Sequence, residues 1–424
     1  EIAHLKHAKH EAHRFCGIQS GHRIKLVPKF PGQSDRTVVK GHGMSKKILF
    51  YTHGLVDGGG ERLWSCLATA MKKRGHDVVF AQDFEADENR TNLDSSIPLV
   101  TLGRGHFRAV KRLAELLRTE KPDVALSAIG GSNTKLMLAK WLARSPVKSI
   151  ITYHGFREWK TGLLSLITYL GLPVLSALAD CTVAVSDGLR EQLISKWGAR
   201  PEKTITILNP VFYPNAARVP SKAELEARPE VLLAVGRLVP EKDFITLVRA
   251  FARMDRPTAR LVILGKGPEE AKIIAELNRL GIRHRVSMPG YSKEPWQHYA
   301  EAKCFVLSSN SEPFGNVVVE AMAFGLPVVA TACSGPQEIL RHGEFGRIVA
   351  AGNDLQLAHA MAGALDNPGD PAMRRKRADD FSFEVRVPAY EQLIAKVLGE
   401  VSHERPGPNV QIVADVSERR RTVA

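Results

Sequence analysis

Short apolar strands alternate with amphipathic helices twice over in this chain, and that double alternation most narrowly limits its fold. The first run opens at Ile48–Tyr51 and closes at Ile205–Leu208; the second opens at Val231–Val235 and closes at Gly346–Val349. Within the first, strands at 77–81, 99–102, 124–127, 149–153 and 181–186 separate helices at 61–74, 107–119, 134–143 and 187–197. Within the second, strands at 261–264, 285–288, 304–307 and 327–330 separate helices at 244–254, 269–280 and 317–325, with further helices at 355–365 and 383–398. Strands that are apolar on both faces belong in parallel sheets covered by helices. The pattern predicts an α/β protein with two Rossmann-like, doubly wound sheets. Their ligand loops are expected beyond the C-terminal strand ends, facing a cleft between the two sheets.

Two of these loops carry candidate chemistry. After the first strand comes Thr52-His53-Gly54-Leu55-Val56-Asp57-Gly58-Gly59-Gly60, then a helix. Glycines let the backbone approach a ligand, and a helix start offers N–H groups to phosphate. The spacing matches neither the dinucleotide fingerprint nor the P-loop. The second loop runs Ser308-Ser309-Asn310-Ser311-Glu312-Pro313-Phe314-Gly315-Asn316 and enters a helix expected from Val317. Free N–H groups at that entrance attract anions. Glu320 follows Glu312 by eight residues, roughly two helical turns, so both carboxylates are expected to face one cleft. Acids beside an anion site suit a ligand bearing hydroxyls and phosphates, such as a nucleotide sugar. The plain alternative is a strand–helix crossover with solvated acids.

At 424 residues, with 44% hydrophobic and 25% charged residues, the chain has the composition of a soluble protein of two or three domains. Five cysteines without a CxxC pair suggest reduced core thiols and argue against zinc. The formal charge of +14 allows nucleic acid, an anionic membrane or anionic substrates as partners. No nucleic-acid-binding motif accompanies it, which favours phosphate-bearing substrates and the membrane surface. Residues 1–43 form a basic, His-rich extension without an apolar signal-peptide core. They are expected to be disordered and dispensable, with Met44 opening the folded protein. The uncharged stretch 162–179 contains Gly171 and Pro173 and is expected to form a helix broken near Pro173, partly buried and partly facing a membrane. Residues 211–229 have the composition of a linker.

The ordered set of motifs resembles glycosyltransferase family 4, the retaining, nucleotide-sugar-dependent group 1 enzymes with the GT-B fold. The resemblance spans roughly residues 46–398. It rests on Gly236-Arg237-Leu238 with Glu241-Lys242, on Gly265-Lys266-Gly267-Pro268, on Glu312-Pro313-Phe314-Gly315, and on Glu320-Ala321-Met322-Ala323 with Gly325-Leu326-Pro327-Val328. Gly58-Gly59-Gly60-Glu61-Arg62 and Tyr153-His154-Gly155 add to it; many relatives have alanine at the third glycine. Ser186-Asp187-Gly188-Leu189-Arg190 is also similar to a family segment, without an assigned role.

The resemblance implies roles. Arg237 and Lys242 would bind the donor diphosphate. Glu312 would meet the transferred sugar, and Glu320 the ribose hydroxyls. Backbone at Phe314, Gly315 and Asn316 would hold sugar and phosphates, and Gly58, Gly59 and Gly60 would approach the phosphates from the other side. Gly265 and Gly267 would line the nucleotide site, the backbone around Tyr291 would meet the base, and His154 would sit over sugar or acceptor. The implied domains are 44–212 on the acceptor side and 213–385 on the donor side. A helix at 386–400 would cross back to the first domain, and a solvated tail would occupy 401–424.

The expected activity is that of a hexosyltransferase-type enzyme moving a sugar from a UDP- or GDP-sugar to a saccharide or lipid-linked acceptor. The setting would be surface polysaccharide, lipopolysaccharide or exopolysaccharide synthesis. No cofactor and no metal are expected, because no Asp-x-Asp motif occurs. The expected location is cytoplasmic, with peripheral attachment to the inner face of the plasma membrane. A sugar-nucleotide epimerase of the same fold and a non-catalytic nucleotide-sugar binding protein are the alternatives.

Overall fold

The computed structural model describes residues 45–56, 59–86, 89–156, 163–214, 217–292 and 294–400. The expectations for the extension 1–43, for Gly58 and for the tail 401–424 lie outside the described residues.

Seven parallel strands form the first sheet: β1 (Lys47–Thr52), β2 (Asp77–Gln82), β3 (Leu99–Thr101), β4 (Val124–Ala128), β5 (Lys148–Tyr153), β6 (Cys181–Ala184) and β7 (Thr204–Thr206). Their order is β3-β2-β1-β4-β5-β6-β7, so the winding reverses between β1 and β4. Around the sheet stand α1 (Gly59–Lys73), α2 (His106–Glu120), α3 (Gly130–Ala143), α4 (Leu163–Leu170), α5 (Leu172–Leu178) and α6 (Asp187–Ser195). Ile48, Leu49, Phe50 and Tyr51 are fully buried, which explains their uninterrupted apolar pattern. Trp64 of α1 meets Phe50 edge-on at 5.3 Å. Each such side chain contributes roughly 1.5–3 kcal/mol through burial.

A short helix, α7 (Lys222–Glu226), leads to the second sheet. That sheet contains β8 (Val231–Val235), β9 (Arg260–Leu264), β10 (Val286–Gly290), β11 (Cys304–Leu307), β12 (Val328–Thr331) and β13 (Arg347–Val349), in the order β10-β9-β8-β11-β12-β13. Here the winding reverses between β8 and β11. Its helices are α8 (Phe244–Arg253), α9 (Glu270–Arg279), α10 (Trp296–Glu301), α11 (Asn316–Ala323), α12 (Ser334–Ile339), α13 (Asp354–Asp366) and α14 (Pro371–Asp379). The last helix, α15 (Phe383–Val397), returns to the first sheet's side. Its Glu391 accepts from Arg74 Nε at 2.6 Å, just beyond α1.

Two features refine the sequence pattern, and a third agrees with it. The apolar stretch divides at Gly171 into α4 and α5, with Pro173 in the first turn of α5, where a missing N–H breaks no bond. Among the described residues, no helix is long and apolar enough to cross a membrane. The linker contains α7, closed by a reciprocal capping box between Ser221 and Glu224. Four cysteines, Cys66, Cys181, Cys304 and Cys333, are buried free thiols. Burial pushes Cys181 and Cys304 up to about 12.

Candidate active site

Ligands of doubly wound sheets bind where the winding reverses, outside the C-terminal strand ends. In the second sheet this point joins the loop after β8 to the loop after β11. Backbone and side chain knit the two loops together. Asn310 N donates to Glu241 O at 2.8 Å, and Ser308 Oγ donates to Lys242 O at 2.8 Å. This brings the Lys242 ammonium onto the Glu312 carboxylate, which Ser309 Oγ also reaches at 3.4 Å. Glu312 is only 8% exposed. Arg237 is exposed on the same β8 loop. Gly315 caps α11 without any side-chain cap, leaving first-turn N–H groups to a ligand. Phe314 is itself buried against Phe381, so only its backbone can serve the site.

Glu312 and Glu320 do not share one environment. The helix begins at Asn316, so half of the interval between them is loop, and the two-turn spacing does not apply. Glu320 is 7% exposed and accepts from Tyr299 Oη at 2.8 Å. Burial pushes its carboxyl above the usual range, against the charge of Arg62 and the hydrogen bond from Tyr299. Arg62 belongs to α1, yet its guanidinium lies 5.4 Å from the ring centre of Trp296 on α10. It therefore spans the cleft between the two sheets.

The glycine loop meets the second sheet at Asn316. A Cβ on Gly59 would stand 3.5 Å from Asn316 Nδ2, and Asn209 Nδ2 donates to Asn316 Oδ1 at 3.3 Å. A Cβ on Gly60 would stand 3.9 Å from the His154 ring. His154 lies just after β5, edge-on to Trp64 at 5.9 Å. Thr152 gives its hydroxyl proton to Ser127 O, so at 2.9 Å it accepts from His154 Nε2. Nδ1 is then the acceptor of the neutral ring.

Burial pushes the His154 pKa from 6.5 down to about 4, so the ring is neutral at pH 7. The unfolded chain takes up a proton near 6.5 while the folded protein resists until about 4. The stability this group contributes is therefore lost as pH falls through that window. In His154→Gln, thermal midpoints measured from pH 6.5 to 4 are expected to fall less steeply than in the parent. Parallel curves would remove the buried imidazole as the cause.

A further contact closes the cleft from the side of β6. Glu338 of α12 accepts from Asp187 N and Gly188 N, both at 3.1 Å, at the start of α6. A Cβ on Gly188 would stand 2.0 Å from Ser334 Oγ. This gives the Ser186–Arg190 segment a structural role, as the helix start that receives a carboxylate from the other sheet. Glu338, Tyr299 and the reach of Arg62 were not foreseen. Only the capping signal at Ser186, whose side chain accepts from Leu189 N, was there to be found.

The remaining predicted residues stand on the loops after β9 and β10. Gly265 and Gly267 pack against the β8 loop: Cβ atoms there would stand 1.8 Å from Gly236 O and 2.4 Å from Leu238 O. Tyr291 is exposed on the loop after β10.

Comparison with known proteins matches both halves. Residues 57–212 fit the family model "Glycosyltransferase Family 4", and residues 217–381 fit "Glycosyl transferases group 1". The chain is 28% identical to the lipopolysaccharide core biosynthesis glycosyltransferase LpsE of Rhizobium meliloti, over 80% of this chain and 96% of that one. It is 27% identical to the Campylobacter jejuni N-acetylgalactosamine-N,N'-diacetylbacillosaminyl-diphospho-undecaprenol 4-alpha-N-acetylgalactosaminyltransferase, over 76% and 91%. Among solved structures, Anabaena HepE in complex with UDP superposes with a TM-score of 0.69 at 22% identity, covering 83% of this chain and 99% of that one. The superposition establishes the GT-B fold. With a transferase model matched to each sheet and its loops, the chain belongs to glycosyltransferase family 4.

Proposed function

We propose that this glycosyltransferase moves a sugar, with retention of anomeric configuration, from a nucleoside-diphosphate sugar to a saccharide or lipid-linked acceptor in surface polysaccharide assembly. The observation carrying this reading is the convergence of Arg237, Lys242, Glu312 and the uncapped start of α11 at one switch point. The UDP complex of HepE and the lipopolysaccharide role of LpsE support it. The donor domain would comprise residues 213–385 and the acceptor-side domain residues 44–212, with 386–400 returning to the latter.

In this reading the diphosphate draws Lys242 from Glu312 and lies against Arg237 and the N–H groups of Gly315 and Asn316. Two cations offset the charge that develops on the leaving group. Glu312, released from Lys242, accepts from sugar hydroxyls, Glu320 from the ribose, and neutral His154 from sugar or acceptor. The acceptor oxygen bonds to the anomeric carbon on the face from which the phosphate oxygen departs, and that phosphate oxygen takes the acceptor proton. Arg237 and Lys242 supply the charge a metal would otherwise supply, so activity is expected to survive a chelator.

Exposed Ile167, Leu170, Val174 and Leu178 on α4 and α5, with Trp141 on neighbouring α3, would rest on an anionic membrane that the +14 charge favours.

A thermal-shift panel of UDP, GDP and their sugars tests the donor assignment. A ligand at about a hundred times its Kd stabilises by about 2.7 kcal/mol, which is a rise of several degrees. No rise with any nucleotide would overturn it. Anomeric coupling constants of the product, read by proton NMR, test retention.

A further inference from the structure

We propose that a cavity in the first sheet is an acceptor subsite for a phosphate or diphosphate ester; this rests on the transferase reading above. The cavity measures about 420 Å³ and is lined by His53, Asp83, Phe84, Arg104, His106 and Lys135, among others. These residues follow β1, β2, β3 and β4, so the cavity sits at the C-terminal strand ends beside the first sheet's switch point. The donor groups stand in the other sheet. The glycine loop that begins at His53 continues to Gly59, opposite Asn316.

One carboxylate anchors the cavity and is consumed by it. Asp83 is 2% exposed. It accepts from Tyr51 Oη at 2.7 Å, from His53 Nδ1 at 2.9 Å and from the Lys135 ammonium. Burial pushes its carboxyl up, and these three donors outweigh that and hold it below its usual range. An ionised carboxylate only accepts, so His53 donates through Nδ1. Nε2 is left for a ligand on a side chain that is 55% exposed; it donates to an anion only in the doubly protonated ring. Arg104 lies over the Phe84 ring at 5.7 Å and has no carboxylate partner among the described residues. His106 is exposed at the entrance of α2. The Arg108 and Arg112 side chains come within 3.1 and 3.6 Å of a Cβ placed on Gly103, in the same loop.

Lys135 and Asp83 neutralise each other, so the guanidinium of Arg104 and the imidazoles of His53 and His106 face a concave site whose single acid is already saturated. Neutral sugar hydroxyls do not require an unpaired guanidinium. An ester phosphate matches an unpaired guanidinium flanked by imidazoles, because charge-assisted hydrogen bonds from Arg and imidazolium to phosphate are the strong ones. Phe107, next to His106, is 84% exposed, so an apolar side chain stands beside the basic ones. The anionic group could then come from a lipid diphosphate or from a phosphorylated saccharide.

Calorimetric titration of the full chain with inorganic pyrophosphate, in excess UDP and GDP to fill the donor site, tests the proposal. The parent is expected to bind pyrophosphate, and Arg104→Ala/His106→Ala to bind it about tenfold or more weakly, with nucleotide binding and thermal midpoint unchanged. Both side chains are exposed; should the double variant misfold, Arg104→Gln carries the same test. Pyrophosphate binding that the variants leave intact, or no binding by the parent, overturns the subsite. Competition by farnesyl diphosphate assigns it to a lipid diphosphate, and stronger competition by glucose 1-phosphate to a phosphorylated saccharide. Displacement by neither overturns the acceptor assignment. Loss of nucleotide binding in the parent would instead count against the transferase reading, so the two failures are separable.

Discussion

Lys242→Ala is expected to lower turnover by about two to three orders of magnitude, the usual effect of removing a group that meets developing charge. Lys242 is held in place before any donor arrives: its carbonyl accepts from Ser308 Oγ, and its ammonium rests on Glu312. Its backbone is thus fixed, and only the ammonium must leave Glu312 when the diphosphate enters. The same substitution also strands Glu312, whose side chain is 10% exposed. Breaking a fully buried pair by deleting one partner costs about 3–5 kcal/mol, and this pair, open at one edge, should cost less. The two effects separate in Lys242→Ala/Glu312→Gln. Stability should return toward the parent, because no charge is left unpaired, while turnover stays low. Steady-state kinetics and thermal melts of both variants check this. Near-normal turnover in Lys242→Ala would remove the lysine from catalysis, and a double variant no more stable than the single would remove the ion pair.

The parts of this fold that were legible in the sequence are those whose cause is local. Val231–Val235 and Cys304–Leu307 are buried strands of parallel sheets, and their apolar runs announce them. The break in the 162–179 stretch follows from Gly171 and Pro173. Short or charged helices were not legible. Pro371–Asp379 is rich in Arg and Lys, yet Arg374 is buried with its guanidinium donating to Gly325 O at 2.8 and 3.0 Å. Gly325 O is distant in sequence, and with Pro368 O, which accepts from the same guanidinium at 2.6 Å, it makes that burial possible. The candidate site divides the same way. Lys242 and Glu312 were named because each stands in a compact motif. Arg62 crossing to Trp296, Tyr299 on Glu320, and Glu338 on the start of α6 are pairings between elements far apart in sequence, which no spacing encodes.

Gly265→Ala is expected to destabilise the protein by about 4 kcal/mol, from a backbone conformation reserved for glycine and from overpacking. The residue has φ +149°, and a Cβ would stand 1.8 Å from Gly236 O and 2.9 Å from its carbonyl carbon. Backbone cannot yield there cheaply. Gly236 N donates to Leu264 O, Gly265 N to Gly290 O and Leu238 N to Lys266 O, each at 2.9 Å. Separating the loops would strain all three bonds. The Gly236–Arg237 loop carries one of the two donor cations, so donor affinity should fall together with stability. A drop of roughly ten degrees in thermal midpoint with weaker nucleotide binding is the expected pair of results. Motif reading assigns Gly265 to ligand approach, and that assignment makes a different forecast: weaker nucleotide binding at an unchanged midpoint. The melt thus decides whether this glycine serves the nucleotide directly or through the packing that positions Arg237.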